Sequence, residues 1–557
     1  MNWQNFRGLG LLVALLSVTG LACGLLDNVG TDGPPRGAVV VNGVANTALQ
    51  PWLETAVSTF NASSTEDANG DPIYVQMQYV ESGDAVGQLL GESSQSEGQT
   101  AVLWLPDDPV WVNILADQGS NRFQSNCVST VQSPLVIAMW RDVAESLGWP
   151  GLPIGWLDIG SLAADPAAWN YYSGGAYGET FRLGHTHPGL SGSGASTLLA
   201  IVQAAEAQTE AVTSDDIQKP IVQASVGAFE GGVSWFSNST AALGAAMAER
   251  GVSYLGAGIM YESTVLQVGN GNIVPVYPLE GTFMSTHPAC ISQTADSATQ
   301  AAATIFRDYL LGDEAQQTAV SAGFRPVNST IAADTAPFDA VSGADLTQPT
   351  IVFGSPSVET VYAVQELWQS ARKDVNLVML LDTSGSMEGD KIIGMRLAAE
   401  QFVQQMGDDD YISVIDFHTQ PDVVVYHERV GDKREDVIAI IQRMVDGGDT
   451  ALYDAIATGA QIIDQTTLPQ TTNAMVVLTD GQNTNSLRDF DSTLISEATA
   501  HDTTIFTIAY GSDADESVLQ ALATQGNGNF FLGDEASIAA IYDEMSAAFG
   551  GSVGVGR

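Results

Sequence analysis

The last third of the chain, from residue 374 to residue 549, alternates nearly continuous apolar runs with segments of helical periodicity. Four of these runs read NLVMLLD, YISVIDF, AMVVLTD and TIFTIAYG. Runs that are apolar at nearly every position indicate strands buried on both faces, which is typical of a parallel sheet covered by helices. The pattern therefore predicts a doubly wound, Rossmann-like α/β sheet, with VVVYHE as an edge strand.

Polar side chains follow the first of these runs, in the segment LVMLLDTSGSMEGDKI. Asp382, Ser384 and Ser386 are spaced two residues apart, and Asp480 closes the run AMVVLTD. Thr450 lies in VDGGDTALYDAI, just before a helix that is expected to pack on the same sheet. Ligands of open parallel sheets gather beyond the carboxyl ends of the strands, so we expect these three loops to converge.

Two carboxylates and three hydroxyl groups are suitable ligands for a small, hard cation such as Mg²⁺, or Mn²⁺ or Ca²⁺ in its place. One coordination position can stay open for an oxygen from outside, and a carboxylate from another protein fits that position best. Gly385 allows the loop to fold tightly enough for both serines to face inward. Capping by Asp and Ser, or a site no longer used, is the alternative interpretation.

This set, D-x-S-x-S with a later Thr and a later Asp-Gly, resembles the metal-ion-dependent adhesion site of von Willebrand factor A domains. The resemblance covers residues 374–549 and leaves 550–557 as a tail. It implies a metal site formed by Asp382, Ser384, Ser386, Thr450 and Asp480. It also implies a protein partner that supplies a carboxylate to the metal.

Residues 38–345 contain a second series of strand-like and helical patterns, which includes AVVVNG, IYVQMQYV, AVLWLP and SPLVIAMW. These residues resemble the type II periplasmic solute-binding proteins, in which two α/β lobes are joined by two crossing strands. The matching features are the early strand with its Gly turn, the SPLVIAMW crossover, the return at VYPLEGTF and the closing FRDYLLGDEAQQTAVSAGFRPVN. The resemblance implies a two-lobed module with a ligand in the cleft between the lobes.

Cys127 and Cys290 are the two cysteines outside the N-terminal segment. In an exported protein an even number of cysteines suggests a disulfide. The two crossing strands lie side by side in the solute-binding family, so the resemblance implies that these residues meet. Two buried free thiols are the alternative.

The segment from His185 to Thr197 is rich in hydroxyl groups and glycines just before a helical pattern. Ser191 and Ser193 at such a helix start can hold an oxyanion or another small polar solute, although a well-capped helix is an equal alternative. A Gly-x-Ser-x-Gly elbow is not formed here, so the segment does not favour a hydrolase. Asn42, Ser82 and Ser133 are predicted to lie at strand ends that face the same cleft. The other candidates for the cleft are the aromatic residues Trp235 and Tyr277, for which packing is the alternative.

The N-terminus begins with Arg7 and an apolar run of signal-peptide length. Leu21-Ala22-Cys23-Gly24 resembles a bacterial lipoprotein cleavage site, although Gly20 stands where that pattern usually has Leu. The resemblance implies a signal peptide over residues 1–22, lipidation of Cys23 and a flexible linker over 23–37. Ordinary signal cleavage and an uncleaved anchor remain open, and each of these places the rest of the chain outside the cytoplasm.

The chain carries 19 basic and 65 acidic residues, for a formal net charge of −46. Such a charge repels nucleic acids and anionic lipid surfaces, so we expect contact with a membrane only through the anchor.

Residues 346–373 are predicted to form a connecting helix that packs on one of the lobes. The favoured function is a non-enzymatic, lipid-anchored surface protein that binds a partner through Mg²⁺. The alternative is the receptor of an ABC-type transport system, with the C-terminal domain as its docking module.

Overall fold

The computed structural model describes residues 33–91, 100–124, 127–178, 180–333, 335–552 and 555. The predicted signal peptide (1–22), the predicted lipidation residue Cys23 and most of the linker 23–37 lie outside the described residues. In the part of the chain that is described, none of the helices combines the length and the apolar character needed to cross a membrane.

The first module is built from short strands that alternate with helices, as the apolar runs predict. Its strands are β1 (Val39–Ala45), β2 (Ile73–Tyr79), β3 (Leu103–Leu105), β4 (Cys127–Ser129), β5 (Val131–Trp140), β6 (Leu183–Thr186), β7 (Val233–Ser237), β8 (Ala257–Tyr261), β9 (Ile273–Val276), β10 (Met284–Ser285), β11 (Pro288–Ile291) and β12 (Arg325–Pro326). Its helices are α1 (Gln50–Ala62), α2 (Ser82–Gly91), α3 (Val110–Asp117), α4 (Arg141–Ser146), α5 (Trp156–Ala164), α6 (Pro166–Ser173), α7 (Gly192–Glu206), α8 (Ser214–Ile217), α9 (Pro220–Glu230), α10 (Thr240–Arg250), α11 (Glu262–Val268), α12 (Ser297–Leu310) and α13 (Asp313–Ser321).

Two separate sheets divide this module into two lobes. The sheet of the first lobe has the order β2-β1-β3-β11-β4. The sheet of the second lobe has the order β10-β5-β8-β6-β7, with β9 and β12 also paired to β5. The chain crosses between the lobes where β4 continues into β5, and it returns where β10 continues into β11. The return therefore lies just after VYPLEGTF rather than within it, because β9 and β10 both still pair with β5 of the second lobe.

The two crossings lie side by side, and a disulfide joins them. Cys127 of β4 and Cys290 of β11 are directly opposite each other in an antiparallel pair, and their sulfur atoms are bonded. The predicted disulfide is therefore present, and it ties together positions that are 163 residues apart in the sequence.

The connecting segment forms helix α14 (Val358–Ala371), as its apolar spacing predicts. The prediction that this helix packs on a single lobe is wrong, because it touches both. Its tyrosine Tyr362 hydrogen bonds to Asp117 of the first lobe, and Gln365 donates to the carbonyl oxygen of Pro188 in the second lobe. Side chains of both lobes and of this helix share one continuous apolar core, which includes Trp368.

The second module is a single open sheet with helices on both faces. Its strands are β13 (Asp374–Asp382), β14 (Tyr411–Phe417), β15 (Pro421–Arg429), β16 (Thr471–Thr479), β17 (Thr504–Tyr510) and β18 (Asn527–Gly533). Its helices are α15 (Asp390–Gln405), α16 (Val430–Ile441), α17 (Leu452–Thr466), α18 (Ser492–Ala498), α19 (Glu516–Gln525) and α20 (Ile538–Ala548). The strand order is β15-β14-β13-β16-β17-β18, in which only β15, the predicted edge strand, runs antiparallel to its neighbour.

Candidate functional site

The predicted metal ligands lie at the carboxyl edge of the second module's sheet. Asp382 is the last residue of β13, and Asp480 directly follows β16, which is the parallel neighbour of β13. Both aspartates are fully buried, whereas Thr450 is slightly exposed in the loop before α17. Adjacent parallel strands bring their ends to one edge, which is why residues almost a hundred positions apart become neighbours here.

A chain of hydrogen bonds connects the side chains of the first and third loops. The backbone N–H of Ser384 donates to Oδ1 of Asp382 at 2.8 Å. The hydroxyl oxygens of Ser384 and Ser386 are 3.1 Å apart, and that of Ser386 donates to Oδ1 of Asp480 at 2.6 Å. The oxygens of four predicted ligands therefore form one continuous polar cluster.

The second loop brings Thr450 to the same cluster. A Cβ atom built on Gly481 would lie 3.5 Å from the hydroxyl oxygen of Thr450 and 3.6 Å from that of Ser386. The two hydroxyl groups therefore flank one glycine. The loops are also joined through their backbones, since the N–H of Gly385 donates to the carbonyl oxygen of Gly448 at 3.1 Å.

Two residues of this site were not predicted from the sequence. The hydroxyl group of Thr479 donates to Oδ2 of Asp382 at 2.5 Å and fixes the orientation of that carboxylate. The ammonium group of Lys391 lies 2.6 Å from Oδ2 of Asp480. Lys391 stands in the quoted segment LVMLLDTSGSMEGDKI, but neither its spacing nor that of Thr479 reveals which carboxylate it contacts.

The electrostatics of the cluster fit a divalent cation. Burial raises the pKa of Asp382 to about 6, and the neighbouring Asp480 carboxylate acts in the same direction. Two buried carboxylates face one lysine ammonium group, so a cation added among the oxygens would relieve their repulsion. Among the described residues there is no cluster of three or more His, Cys, Asp or Glu suited to a metal. At this sheet edge, the oxygens that a cation could contact are those of the two aspartates and of the neighbouring hydroxyl groups.

The boundary between the two lobes of the first module contains a second polar cluster. Asp107, between β3 and α3, accepts hydrogen bonds from the hydroxyl groups of Ser82 and Tyr261, each at 2.6 Å. The backbone N–H of Asp107 in turn donates to the Ser82 hydroxyl oxygen at 3.1 Å. All three side chains are buried. Ser82 was predicted from the sequence, but Asp107 and Tyr261 were not.

The predicted cleft residues Ser191 and Ser193 lie at the same boundary and are fully buried. The hydroxyl group of Ser193 is 2.6 Å from that of Thr186 and 3.1 Å from that of Ser191. Burial and the nearby Asp107 carboxyl raise the pKa of Glu81 to about 8, although hydrogen bonds from Thr47 and Ser191 partly offset this rise. The structure therefore brings Ser82, Ser191 and Ser193 together, and it surrounds them with carboxyl groups of the chain itself.

The remaining cleft candidates are placed elsewhere. Asn42 lies in the middle of β1 rather than at a strand end, because β1 continues to Ala45. Ser133 is buried within β5, where its hydroxyl oxygen accepts the N–H of Ser263 at 3.0 Å. Tyr277 hydrogen bonds to Glu262 and to the N–H of Asp345.

Trp235 falls within β7, and its side chain is not among those described.

Replacing Glu81 with glutamine is expected to flatten the pH dependence of stability. The folded protein keeps a proton on Glu81 up to about pH 8, whereas the unfolded chain releases it near the ordinary value of 4.5. The contribution of Glu81 to the stability is therefore fully present below about pH 4.5 and is lost as the pH rises through about 8. Between about pH 5 and about pH 8, the melting temperature of the wild type should fall by at least about 3 °C more than that of the variant. Thermal unfolding followed by circular dichroism measures this, with the exposed Glu66→Gln as the matched control, and equal slopes for all three proteins would contradict it.

Comparison with known proteins assigns a family to each module. A family model described as bacterial extracellular solute-binding protein matches residues 41–325, just over half of the 557 residues. A second model, for the von Willebrand factor type A domain, matches residues 376–544. The two matches lie within the two modules seen in the structure.

Individual relatives and solved structures cover part of the chain each. An uncharacterized protein of Synechocystis sp. is 27% identical over 158 residues, which are 28% of this chain and 37% of that protein. A von Willebrand factor type A structure from Catenulispora acidiphila has a TM-score of 0.30 at 21% identity and covers 32% of this chain and 43% of its own.

The sulfate-binding protein SubI from Mycobacterium tuberculosis has a TM-score of 0.37 at 19% identity and covers 53% of this chain and 89% of its own. The chain thus spans little more than a third of the curated relative named above. The match over more than half of its length shows that the chain belongs to the bacterial extracellular solute-binding proteins, with a von Willebrand factor type A domain following the solute-binding module.

Proposed function

We propose that the chain is a lipid-anchored, non-enzymatic protein of the bacterial surface or periplasm that binds a protein partner through a divalent cation. The observation that carries this proposal is the gathering of five oxygen-bearing side chains at one sheet edge. The residues that would hold the cation, Mg²⁺ in the first instance, are Asp382, Ser384, Ser386, Thr450 and Asp480. When bound, the cation would supply a positive centre for a carboxylate of the partner.

The chemistry of the donors supports a partner with an acidic side chain. Hydroxyl groups are neutral ligands, so a divalent ion that they share with two carboxylates remains strongly attractive to another anionic oxygen. A net charge of −46 makes a generally acidic partner surface unfavourable, since like charges repel over about 8–10 Å at physiological salt. We therefore expect the partner to present an isolated carboxylate on a neutral or basic surface.

The proposed anchor and location rest on the N-terminal sequence and on the description of the matched family as extracellular. Globomycin, which blocks lipoprotein signal cleavage, is expected to leave the protein with its residues 1–22 still attached. Mass spectrometry of the N-terminal peptide measures this, and a mature N-terminus at any residue other than Cys23 contradicts the lipidation.

Capture of the partner tests the metal-dependent binding. Full-length protein is immobilised and exposed to surface proteins of the producing bacterium, in excess Mg²⁺ and in excess EDTA. A partner should be retained in Mg²⁺, released by EDTA and lost with Asp480→Ala. The matched control is Asp449→Ala, because Asp449 is exposed and adjoins Thr450. Retention that is equal in EDTA, or equal for Asp480→Ala and wild type, contradicts the proposal.

A further inference from the structure

One carboxyl group at the boundary of the solute-binding module is held from both lobes. Oδ1 of Asp107 accepts the hydroxyl group of Ser82, which begins α2 in the first lobe. Oδ2 accepts the hydroxyl group of Tyr261, which ends β8 in the second lobe. The carbonyl oxygen of Asp107 also accepts the hydroxyl group of Ser285, at 2.5 Å, beside the return crossing. A single residue of the first lobe is thus bonded to the second lobe and to the crossing.

The same carboxyl group rests on the start of helix α7. A Cβ atom built on Gly192, the first residue of α7, would lie 2.1 Å from Oδ2 of Asp107 and 2.5 Å from its carboxyl carbon. Any side chain at Gly192 would overlap the carboxyl group, so glycine is required for this contact. The first turn of a helix presents unpaired N–H groups and a positive partial charge, which favour an acidic group. Asp107 therefore lies where a helix start and two hydroxyl donors converge.

The lobes are also closed on each other by direct backbone contact. The N–H of Gly83 donates to the carbonyl oxygen of Leu190 at 2.7 Å. A Cβ atom on Gly83 would lie only 2.2 Å from the carbonyl oxygen of Gly189. Helix α14 crosses the two lobes and contacts each through Tyr362 and Gln365. The arrangement leaves the space between α2 and the α7 loop filled by protein.

We propose that the boundary between the lobes is a carboxylate-binding site whose ligand is built into the chain. Asp107 takes the place of a free acidic solute and holds the lobes closed. Ser82, Ser191 and Ser193 accordingly serve this internal ligand and its surroundings rather than a transported solute. The solute-binding module is then a rigid platform for the von Willebrand factor type A domain, and it does not open and close around a ligand.

Removing the internal ligand should make the site available to a free one. Full-length Asp107→Gly is expected to melt below the wild type, and sodium formate or acetate should raise its melting temperature in a saturable manner. The gain should reach about 2–4 °C more than in sodium chloride of equal ionic strength, which corresponds to an anion concentration several times its Kd. Sodium sulfate is the second probe, and a saturable response to it as well would show that the site takes oxyanions in general. The wild type should show no saturable response to any of these anions, since the general stabilisation by excluded salts such as sulfate rises steadily with concentration.

Asp108→Gly is the matched control, since Asp108 is the adjacent aspartate and its carboxylate accepts the N–H of Val110 within its own lobe. This variant should lose stability without any response to formate or acetate. The proposal is overturned if the wild type shows a saturable gain in stability with formate, acetate or sulfate, because its site is then free. It is also overturned if Asp107→Gly responds to formate and acetate no more than Asp108→Gly does.

A second set of variants decides the question if Asp107→Gly does not fold in any of these salts. Ser82→Ala and Tyr261→Phe each remove one hydroxyl donor and keep the packing. Both donors hold one carboxyl group, so the double variant should lower the melting temperature by less than the sum of the single losses. Losses that add fully would overturn the proposal, because they would show two independent contacts.

Discussion

Replacing Asp382 with alanine is expected to lower the affinity of the full-length protein for Mg²⁺ by more than about 100-fold, since even residues that only support metal ligands change affinity by about 10–100-fold. Asp382 is fully buried at the end of β13, and its carboxylate is hydrogen bonded to Ser384 and Thr479. The substitution therefore removes one of two negative charges at the site without removing apolar packing. Isothermal titration with MgCl₂ measures the loss.

The same variant separates a lost ligand from a damaged fold. Burial raises the pKa of Asp382 to about 6, which shows that its ionised form is unfavourable in the absence of a cation. In EDTA, Asp382→Ala should therefore still fold, and its melting temperature should differ from that of the wild type only modestly, because the buried charge is removed while Ser384 and Thr479 lose their acceptor. Added Mg²⁺ should raise the melting temperature of the wild type and leave that of the variant unchanged. Wild-type Mg²⁺ affinity in Asp382→Ala would refute the assignment of the site.

Asp449→Ala serves as the control in these titrations as well, because it removes a carboxylate from the loop of Thr450 without touching the buried cluster.

Lys391→Ala is expected to affect the affinity for Mg²⁺ in the opposite direction from Asp382→Ala. Its ammonium group is 2.6 Å from Oδ2 of Asp480, where it neutralises the same carboxylate that a bound cation would neutralise. Its removal should leave the affinity for Mg²⁺ unchanged or raised.

The gathering of the proposed metal ligands could be anticipated because it follows from the direction of neighbouring strands. Parallel strands present their carboxyl ends at one edge, so Asp382 and Asp480 had to be neighbours once β13 and β16 were adjacent. The supporting contact from Thr479 could not be predicted, because a hydroxyl group at the end of an apolar strand can point to either face. The contact of Lys391 with Asp480 could not be predicted either, because a long, flexible side chain in the first turn of α15 could reach more than one carboxylate.

The contacts at the boundary between the lobes could not be predicted from sequence patterns, for a different reason. Asp107 is bonded to Tyr261, which lies 154 residues away in the sequence. Periodicity and turn signals report on neighbours within a few residues, and they do not report which lobe faces which. Ser82, Ser191 and Ser193 were predicted to face the cleft and to bind a solute there, and their role in binding stays a prediction. The crowding at Gly83 and Gly192 that excludes a solute appears only when both lobes are placed.

The linker shows how packing can override a correct local prediction. The spacing of apolar residues was sufficient to predict helix α14, and it indicated a single buried face. In the structure the helix lies where both lobes meet, so Tyr362 and Trp368 pack into a core to which both lobes contribute. A helix fixed in this way holds the second module through Arg372, the residue that follows α14.

Replacing Asp410 with alanine is expected to destabilise the von Willebrand factor type A domain by about 3–5 kcal/mol, the usual cost of leaving one buried charge without its partner. Both N–O distances between the guanidinium group of Arg372 and the Asp410 carboxylate are 3.0 Å. Their side chains are only 3% and 2% exposed. The carboxylate also accepts the N–H groups of Val375 and Gly407 at 2.9 and 2.7 Å, so the guanidinium group and two backbone donors lose their acceptor together.

The loss should lower the melting temperature of this domain by about 10 °C in thermal unfolding followed by circular dichroism. Asp436→Ala is the matched control. The side chain of Asp436 is 71% exposed and that of its partner Lys433 is 45% exposed, so the loss of this ion pair should change stability by at most about 0.5 kcal/mol. Asp410→Asn with Arg372→Met should regain part of the stability, since the amide oxygen can still accept a backbone N–H and no charge is left buried. A loss in Asp410→Ala as small as that in Asp436→Ala would contradict this prediction. It would mean that the Arg372–Asp410 pair does not hold α14 on the domain, because solvent or another residue then compensates the charge of Arg372.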